Sequence, residues 1–232
     1  LREAGRRARR PGRGAVPPRL GGGVEPAEVP DCPYLGYGTR YRSFEVPCWT
    51  DRSSHAFADV TAAWMQQGVG FLSANAITTG KSATRFAPND SATRGEAAAF
   101  LARFAKVTNI PVPAHPFGDV TASWQQGPVS WLAFYAITTG KTPSTFAPDD
   151  RVTRAEFVTF LWRLAGSPTV SNPDHGFTDV EGGPGWWQLP VAWAKELGIT
   201  TGKPAGSSTF SPNGDVTRAE IAAFLERFAR TV

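Results

Sequence analysis

Residues 153–164 read TRAEFVTFLWRL, and the spacing of their apolar side chains decides the architecture. Phe157, Phe160, Leu161 and Leu164 fall at i, i+3, i+4 and i+7, which is a single stripe on an α-helix. Just ahead of the stripe Thr153 stands as an N-cap. Glu156, three residues on, returns its carboxylate to the Thr153 N–H, the pattern of a capping box. The stretch occurs twice more. Residues 93–104, TRGEAAAFLARF, place Ala97, Phe100, Leu101 and Phe104 behind Thr93 and Glu96; residues 217–228, TRAEIAAFLERF, place Ile221, Phe224, Leu225 and Phe228 behind Thr217 and Glu220.

Working outward, each copy is preceded by the same landmarks: H-x-F-x-D-V, a Trp, A/G-I-T-T-G-K and F-x-P. His55, His115 and His175 are evenly spaced, as are Asp59, Asp119 and Asp179. Small insertions near Gly182 and Gly206 stretch the third copy, as expected for loops. An earlier helix is predicted to run up to the I-T-T-G segment with Phe71, Trp131 and Trp193 on its inner face, and Gly80, Gly140 and Gly202 end the turn after it. Pro128 and Pro190 are expected in the first turn of that helix, where a missing N–H does no harm, so that the Gly127-Pro128 and Leu189-Pro190 breaks shorten it. One helix pair cannot bury its stripe alone, and three copies must share a core. The predicted fold is therefore mainly α: three helix-loop-helix repeats packed as a pseudo-three-fold helical bundle, behind a poorly ordered N-terminal arm. The expected divisions are an arm at 1–31, a Cys-containing segment at 32–52, and repeats at 53–108, 109–168 and 169–232.

Composition agrees with a packed core: 41% of the 232 residues are hydrophobic and 19% charged, far from the profile of a disordered chain. The uncharged stretch from Val60 to Gly80 carries Thr61, Gln66, Gln67, Ser73, Asn75, Thr78 and Thr79, too polar to cross a bilayer. Much of the net charge of +4 lies in the arm, where Arg2, Arg6, Arg7, Arg9, Arg10, Arg13 and Arg19 face only Glu3, Glu25, Glu28 and Asp31. With no aromatic side chain interleaved to stack on bases, the arm reads as a solvated linker rather than a nucleic-acid contact. The lack of an initiator Met and of an apolar leader suggests a fragment of a longer protein. Cys32 and Cys48 either close a disulfide loop of about 16 residues, worth roughly 3 kcal/mol in the chain-entropy treatment, or stay as free thiols.

Arg94, Arg154 and Arg218 are the oddest residues of the repeat, because a cation in the first turn of a helix opposes the macrodipole by about 0.3–1 kcal/mol. Two readings stand. An anion lodged between the guanidinium and the helix N-terminal N–H groups reverses the sign of the effect; alternatively each Arg pairs with a neighbouring Glu or with Asp59, Asp119 or Asp179. Lys81, Lys141 and Lys203 either add charge to the same site or are ordinary loop lysines. Trp64, Trp124 and Trp186 either stack on sugar faces or belong to the core. The three His suit local hydrogen bonding to loop backbone better than a metal or acid/base site, since no nucleophile accompanies them. No catalytic or cofactor motif is present, and the chain does not read as an enzyme.

F-x-D-V, a following Trp, G/A-I-T-T-G, F-x-P-N/D and T-R-x-E with an amphipathic helix resemble the surface-layer homology (SLH) repeat over residues 55–232. The resemblance implies an extracellular module that attaches a secreted or surface protein non-covalently to the bacterial cell wall. Its partner would be an anionic secondary cell wall polysaccharide, often bearing pyruvate ketals, with no cofactor, nucleic acid or membrane insertion and a monomeric module. In the family the T-R-A-E Arg, here Arg94, Arg154 and Arg218, meets the acidic sugar in grooves between repeats. The motif Asp and Trp residues would line the same grooves. Departures are Gly95 in the first T-R-x-E, which weakens that helix start, and Ala76 and Ala136 where only Gly198 keeps the family glycine. Attachment of a larger secreted hydrolase and a structural lattice role are the competing readings.

Overall fold

The computed structural model describes residue 41 and residues 44–51, 54–107, 112–181 and 185–232. Within them six helices follow in chain order: α1 (Ala63–Ala74), α2 (Arg94–Phe104), α3 (Ser123–Phe134), α4 (Arg154–Leu164), α5 (Gly185–Glu196) and α6 (Arg218–Ala229). Each repeat contributes two helices, and among the described residues the only β-structure is isolated bridges. The arm at 1–31 lies outside the described residues.

The second helices α2, α4 and α6 start as their sequences require. Thr93, Thr153 and Thr217 each accept an N–H bond from the Glu three residues on, and that Glu accepts one from the backbone of the Thr. All twelve stripe residues are 4% exposed or less. They meet about a common axis, where Phe104 stacks on Phe228 with ring centroids 5.7 Å apart and Phe157 on Phe224 at 6.2 Å. Phe71, Trp131 and Trp193 of the first helices are buried beside them.

Three backbone bonds close the axis into a ring. Ala92 N–H donates to Val216 O, Val216 N–H to Val152 O, and Val152 N–H to Ala92 O, at 3.0, 3.0 and 3.1 Å. The first helix of each repeat packs on the second helix of the preceding one: α3 on α2, α5 on α4, and α1 on α6, which joins the last repeat to the first.

The prolines depart from expectation. Pro128 and Pro190 lie on the second turn of α3 and α5, and these helices have the same 12 residues as α1, which contains no proline. Each ring removes one rung of the hydrogen-bond ladder while its fixed φ remains helical, so the helix carries on through it. In α1 the same position is Gly68, where an added Cβ would stand 2.8 Å from Ala222 C and Ala223 N of α6.

The segment before the first repeat belongs to the core. Trp49 is fully buried and stacks on Phe104 at 4.6 Å, with Phe44 and Val46 buried alongside. Cys48 is disulfide-bonded; Cys32, its candidate partner, lies outside the described residues.

Candidate functional site

The site is assembled from loops that the aspartates hold in place. Asp59 accepts N–H bonds from Phe86 (2.9 Å) and Ala87 (2.7 Å), one on each carboxylate oxygen. Asp119 does the same for Phe146 and Ala147, and Asp179 for Phe210 and Ser211. The second residue of each pair has φ near +60°, a left-handed conformation unfavourable for Ala or Ser, and the carboxylate stabilises it by gathering two consecutive N–H groups. Burial pushes the Asp59 and Asp119 carboxyls up, but the loop N–H bonds prevail and leave both below the usual carboxylate range.

Each loop so fixed turns a carbonyl toward the Arg of the preceding repeat. Arg94 Nε donates to Phe146 O (2.8 Å), Arg154 Nε to Phe210 O (2.7 Å) and Arg218 Nε to Phe86 O (2.8 Å). The guanidinium groups also pair with capping-box glutamates of the next repeat: Arg94 with Glu156 and Arg154 with Glu220 at 2.9 Å, Arg218 with Glu96 at 3.5 Å. Two phenylalanine rings flank each one, as Phe146 and Phe160 do for Arg94 at 4.8 and 5.6 Å. All three arginines are buried, at 2–4% exposure. Burial draws their pKa values down, and the facing carboxylates oppose that shift.

This arrangement corrects the picture of an anion held on the helix N-terminal N–H groups. Arg94 N–H donates to Asp150 O and Gly95 N–H to Pro148 O; Arg154 and Ala155 donate to Gly214 O and Pro212 O; Arg218 and Ala219 donate to Asp90 O and Pro88 O. The capping box satisfies the remaining first-turn groups, so the helix ends offer no vacant donor. The pairing is also wider than neighbouring: Arg94 and Glu156 are 62 positions apart.

Above the arginines lie clefts between repeats. One, of about 440 Å³, has Arg94 and Glu156 at its base, Lys141 and Arg163 on its walls, the Thr138-Thr139-Gly140 turn along one side and Trp186 at its lip. A second, of about 350 Å³, repeats the plan with Arg154, Glu220, Lys203, Arg227, the Thr200-Thr201-Gly202 turn and Trp64. Three cations therefore face one carboxylate in each. Lys81, Lys141 and Lys203 bond to Glu96, Glu156 and Glu220, yet remain about two-fifths exposed. Trp64, Trp124 and Trp186 are 52%, 51% and 45% exposed, so they are surface residues; the buried tryptophans are Trp49, Trp131, Trp187 and Trp193.

The aspartates, expected in the grooves, are not among the lining residues of these two clefts. Arg163, Arg227 and the paired threonines are, and their recurrence at fixed places in each copy, with Arg103 as the third Arg, was the available signal for them. The histidines serve the loops. Nδ1 of His55, His115 and His175 accepts the N–H of Phe57, Phe117 and Phe177 at 3.1–3.3 Å, and each imidazole stacks on that same phenylalanine. Nδ1 is thus unprotonated, and His55 Nε2 is left to donate to Gln66 Oε1 at 2.9 Å. Gly95 is not a simple defect of the first helix start: a Cβ there would meet Gln125 Nε2 at 2.7 Å, so its absence makes room for the buried Gln125 of α3.

Three tandem copies of one repeat, closed into a ring with equivalent inter-repeat clefts, define a modular binding domain. The S-layer homology domain model matches residues 56–98, 116–158 and 176–222, and the chain belongs to that family. It is 37% identical over 115 residues to an endoglucanase of Bacillus sp. strain KSM-635, covering 49% of this chain and 12% of that protein. An S-layer protein of Bacillus licheniformis is 27% identical over 179 residues, 73% of this chain and 19% of the relative. The cellulosome-anchoring protein of Acetivibrio thermocellus is 28% identical over 150 residues, 61% and 33% of the two lengths. The chain thus spans a third or less of each of these relatives. It is an anchoring module of the extracellular cell surface, and the similarity to enzymes is confined to that module. Among the described residues no helix is long and apolar enough to cross a membrane, and no group of three His, Cys, Asp or Glu could hold a metal ion.

Proposed function

We propose that the module anchors its parent protein by binding an anionic cell wall polysaccharide in the clefts between repeats. The observation that carries this reading is the cleft composition: three cations over one carboxylate, an exposed threonine (Thr139 or Thr201) and a half-exposed tryptophan at the lip. Positive charge recognises the acid of a sugar, hydroxyls match its hydroxyls, and an indole face matches the C–H face of the ring. Lys141, Lys203, Trp64 and Trp186 make the direct contacts, with the buried guanidinium groups of Arg94 and Arg154 adding positive charge beneath them. Arg218, Lys81 and Trp124 occupy the equivalent places of the third inter-repeat boundary. Asp59, Asp119 and Asp179 act one step back, by holding the loops whose carbonyls position the arginines. Several modest sites along one polymer give avidity without any single tight contact. The relatives named for glycan hydrolysis support a parent protein that is a larger secreted hydrolase carried on this anchor.

The test is co-sedimentation with purified bacterial cell walls. Lys141→Ala/Trp186→Ala combined with Lys203→Ala/Trp64→Ala changes exposed side chains, so the helical circular dichroism should be kept while wall binding falls by about tenfold or more. Binding should also weaken from low to high salt. Undiminished sedimentation of the folded quadruple variant overturns the reading.

A further inference from the structure

A pocket of about 350 Å³ lies in the third repeat, between α5 and the loop that carries His175, and shares no residue with the two clefts. His175 lines it although it is only 6% exposed. Its Nδ1 accepts the Phe177 N–H, so the ring proton sits on Nε2. His55 Nε2 has Gln66 as a partner, but among the described residues His175 Nε2–H has no acceptor. The backbone N–H of His175 has none either. In the second repeat the equivalent N–H, of His115, donates to Ser130 Oγ at 3.3 Å; the matching position of α5 is Ala192, which is 2% exposed and also lines the pocket. A third donor, the ammonium of Lys195, lies 4.9 Å from the centre of the Phe177 ring and makes no ion pair among the described residues.

Three donors without acceptors, two of them on one buried residue, suit a carboxylate. The lining also contains Asp174 and Glu196, held in place by the Gly176 N–H at 2.9 Å and the Ser171 N–H at 3.0 Å. Against the single charge of Lys195 these two carboxylates leave the pocket with a net charge of −1, which repels a simple anion. A ligand carrying an ammonium beside its carboxylate answers both requirements. We infer that this pocket binds the zwitterionic head of an α-amino acid, its carboxylate on His175 and Lys195 and its ammonium toward Asp174 and Glu196. The charged groups belong to the third repeat alone: Lys195 and Glu196 stand where α3 has Ala133 and Phe134 and α1 has Ser73 and Ala74, and Asp174 stands where the other loops have Ala114 and Ser54. The same head occurs on a free amino acid and at the end of a diamino acid side chain in a wall peptide.

The experiment titrates the whole chain, labelled with ¹⁵N, and reads the backbone amide signals of His175 and Gly176. The probes are alanine, propionate, which keeps only the carboxylate, and ethylamine, which keeps only the ammonium. Alanine should shift both signals and bind at least about tenfold more tightly than either one-ended probe. Ala192→Ser restores the hydroxyl that the second repeat uses and should weaken alanine by about tenfold while the helical circular dichroism is kept. Lys195→Gln, at an exposed position, should do the same. Asp174→Asn/Glu196→Gln should abolish the preference for alanine over propionate. Nε-acetyllysine presents the same head on a long side chain and separates the two sources. Binding within about threefold of alanine assigns the head of a longer chain, exclusion assigns a free amino acid, and either supports the zwitterion. No shift at roughly 50 mM alanine, equal binding of propionate, or alanine binding untouched by Ala192→Ser and Lys195→Gln overturns the inference. None of these results bears on the clefts, whose Trp64 and Trp186 indole signals should stay in place throughout.

Discussion

Replacing Arg154 by Ala removes four interactions at once, and the structure sets the scale of the loss. The Nη1 bond to Glu220 at 2.9 Å disappears, Phe210 O loses its buried donor at 2.7 Å, and two rings at 4.8 and 5.2 Å lose their cation. Breaking a buried ion pair on one side costs about 3–5 kcal/mol. Lys203 remains on Glu220 at 3.1 Å, so the carboxylate is not stranded and the lower end applies, about 3 kcal/mol. With a urea slope of about 2 kcal/mol/M, the unfolding midpoint should fall by about 1.5 M at unchanged slope. Combining the change with Glu220→Gln should cost less than the sum of the two, by more than about 1 kcal/mol, because the two residues act as a unit. A midpoint shift below about 0.3 M, or strict additivity, would refute the claim that this arginine belongs first to the fold. The same reasoning governs wall-binding assays: loss of binding in an Arg→Ala variant is informative only at a temperature where that variant is folded.

Four further outcomes follow from the geometry. Asp119→Asn removes charge from a carboxylate that accepts two loop N–H bonds and should cost about 2 kcal/mol in a urea melt. Because Asp59, Asp119 and Glu96 are held below their ordinary values, their stabilisation is complete above about pH 5 and declines as acid carries the pH down through the carboxylate range. A melting temperature that stays level from pH 6 to about pH 3 would contradict this. Ala136 occupies the left-handed position after α3 at φ 57°, where Ile137 N–H reaches back to Leu132 O, so Ala136→Gly should raise stability by about 0.5 kcal/mol in thermal unfolding; a decrease would show that another constraint dominates there. Gly68→Val sets a side chain against the α6 backbone and should cost about 1–3 kcal/mol or more, with Ala62→Val at the helix entrance as a milder comparison.

The helices that carry the fold were legible because their stripes and capping boxes are local: every residue needed to recognise α4 lies between Thr153 and Leu164. The position of Pro128 was misread because first-turn preference is a tendency, and it cannot reveal that a helix already started at Ser123 without a side-chain cap. At the site, the three arginines could be singled out by their clash with the macrodipole, but not the groups that resolve it. Those are a carbonyl and a carboxylate on the next repeat, brought within 3.5 Å by the packing of one repeat on another and, for Arg218, by ring closure. Nor does periodicity distinguish Trp186 from Trp187: adjacent in sequence, one is at the surface and the other in the core. The Asp residues were legible as important and misplaced by role, since a carboxylate that organises a loop and one that faces a ligand leave the same mark on a sequence.

The hydrogen-bonded triangle of Ala92, Val152 and Val216 makes the number of copies a property of the whole. Deleting the middle copy from this gene would leave a survivor with two raw edges and no mate for either, able to complete its circle only by borrowing from a neighbouring molecule. Adding a fourth copy would find no place at the centre. Sites on such a scaffold are gained or lost in sets of three, and diversity between them arises by altering loops within a fixed count.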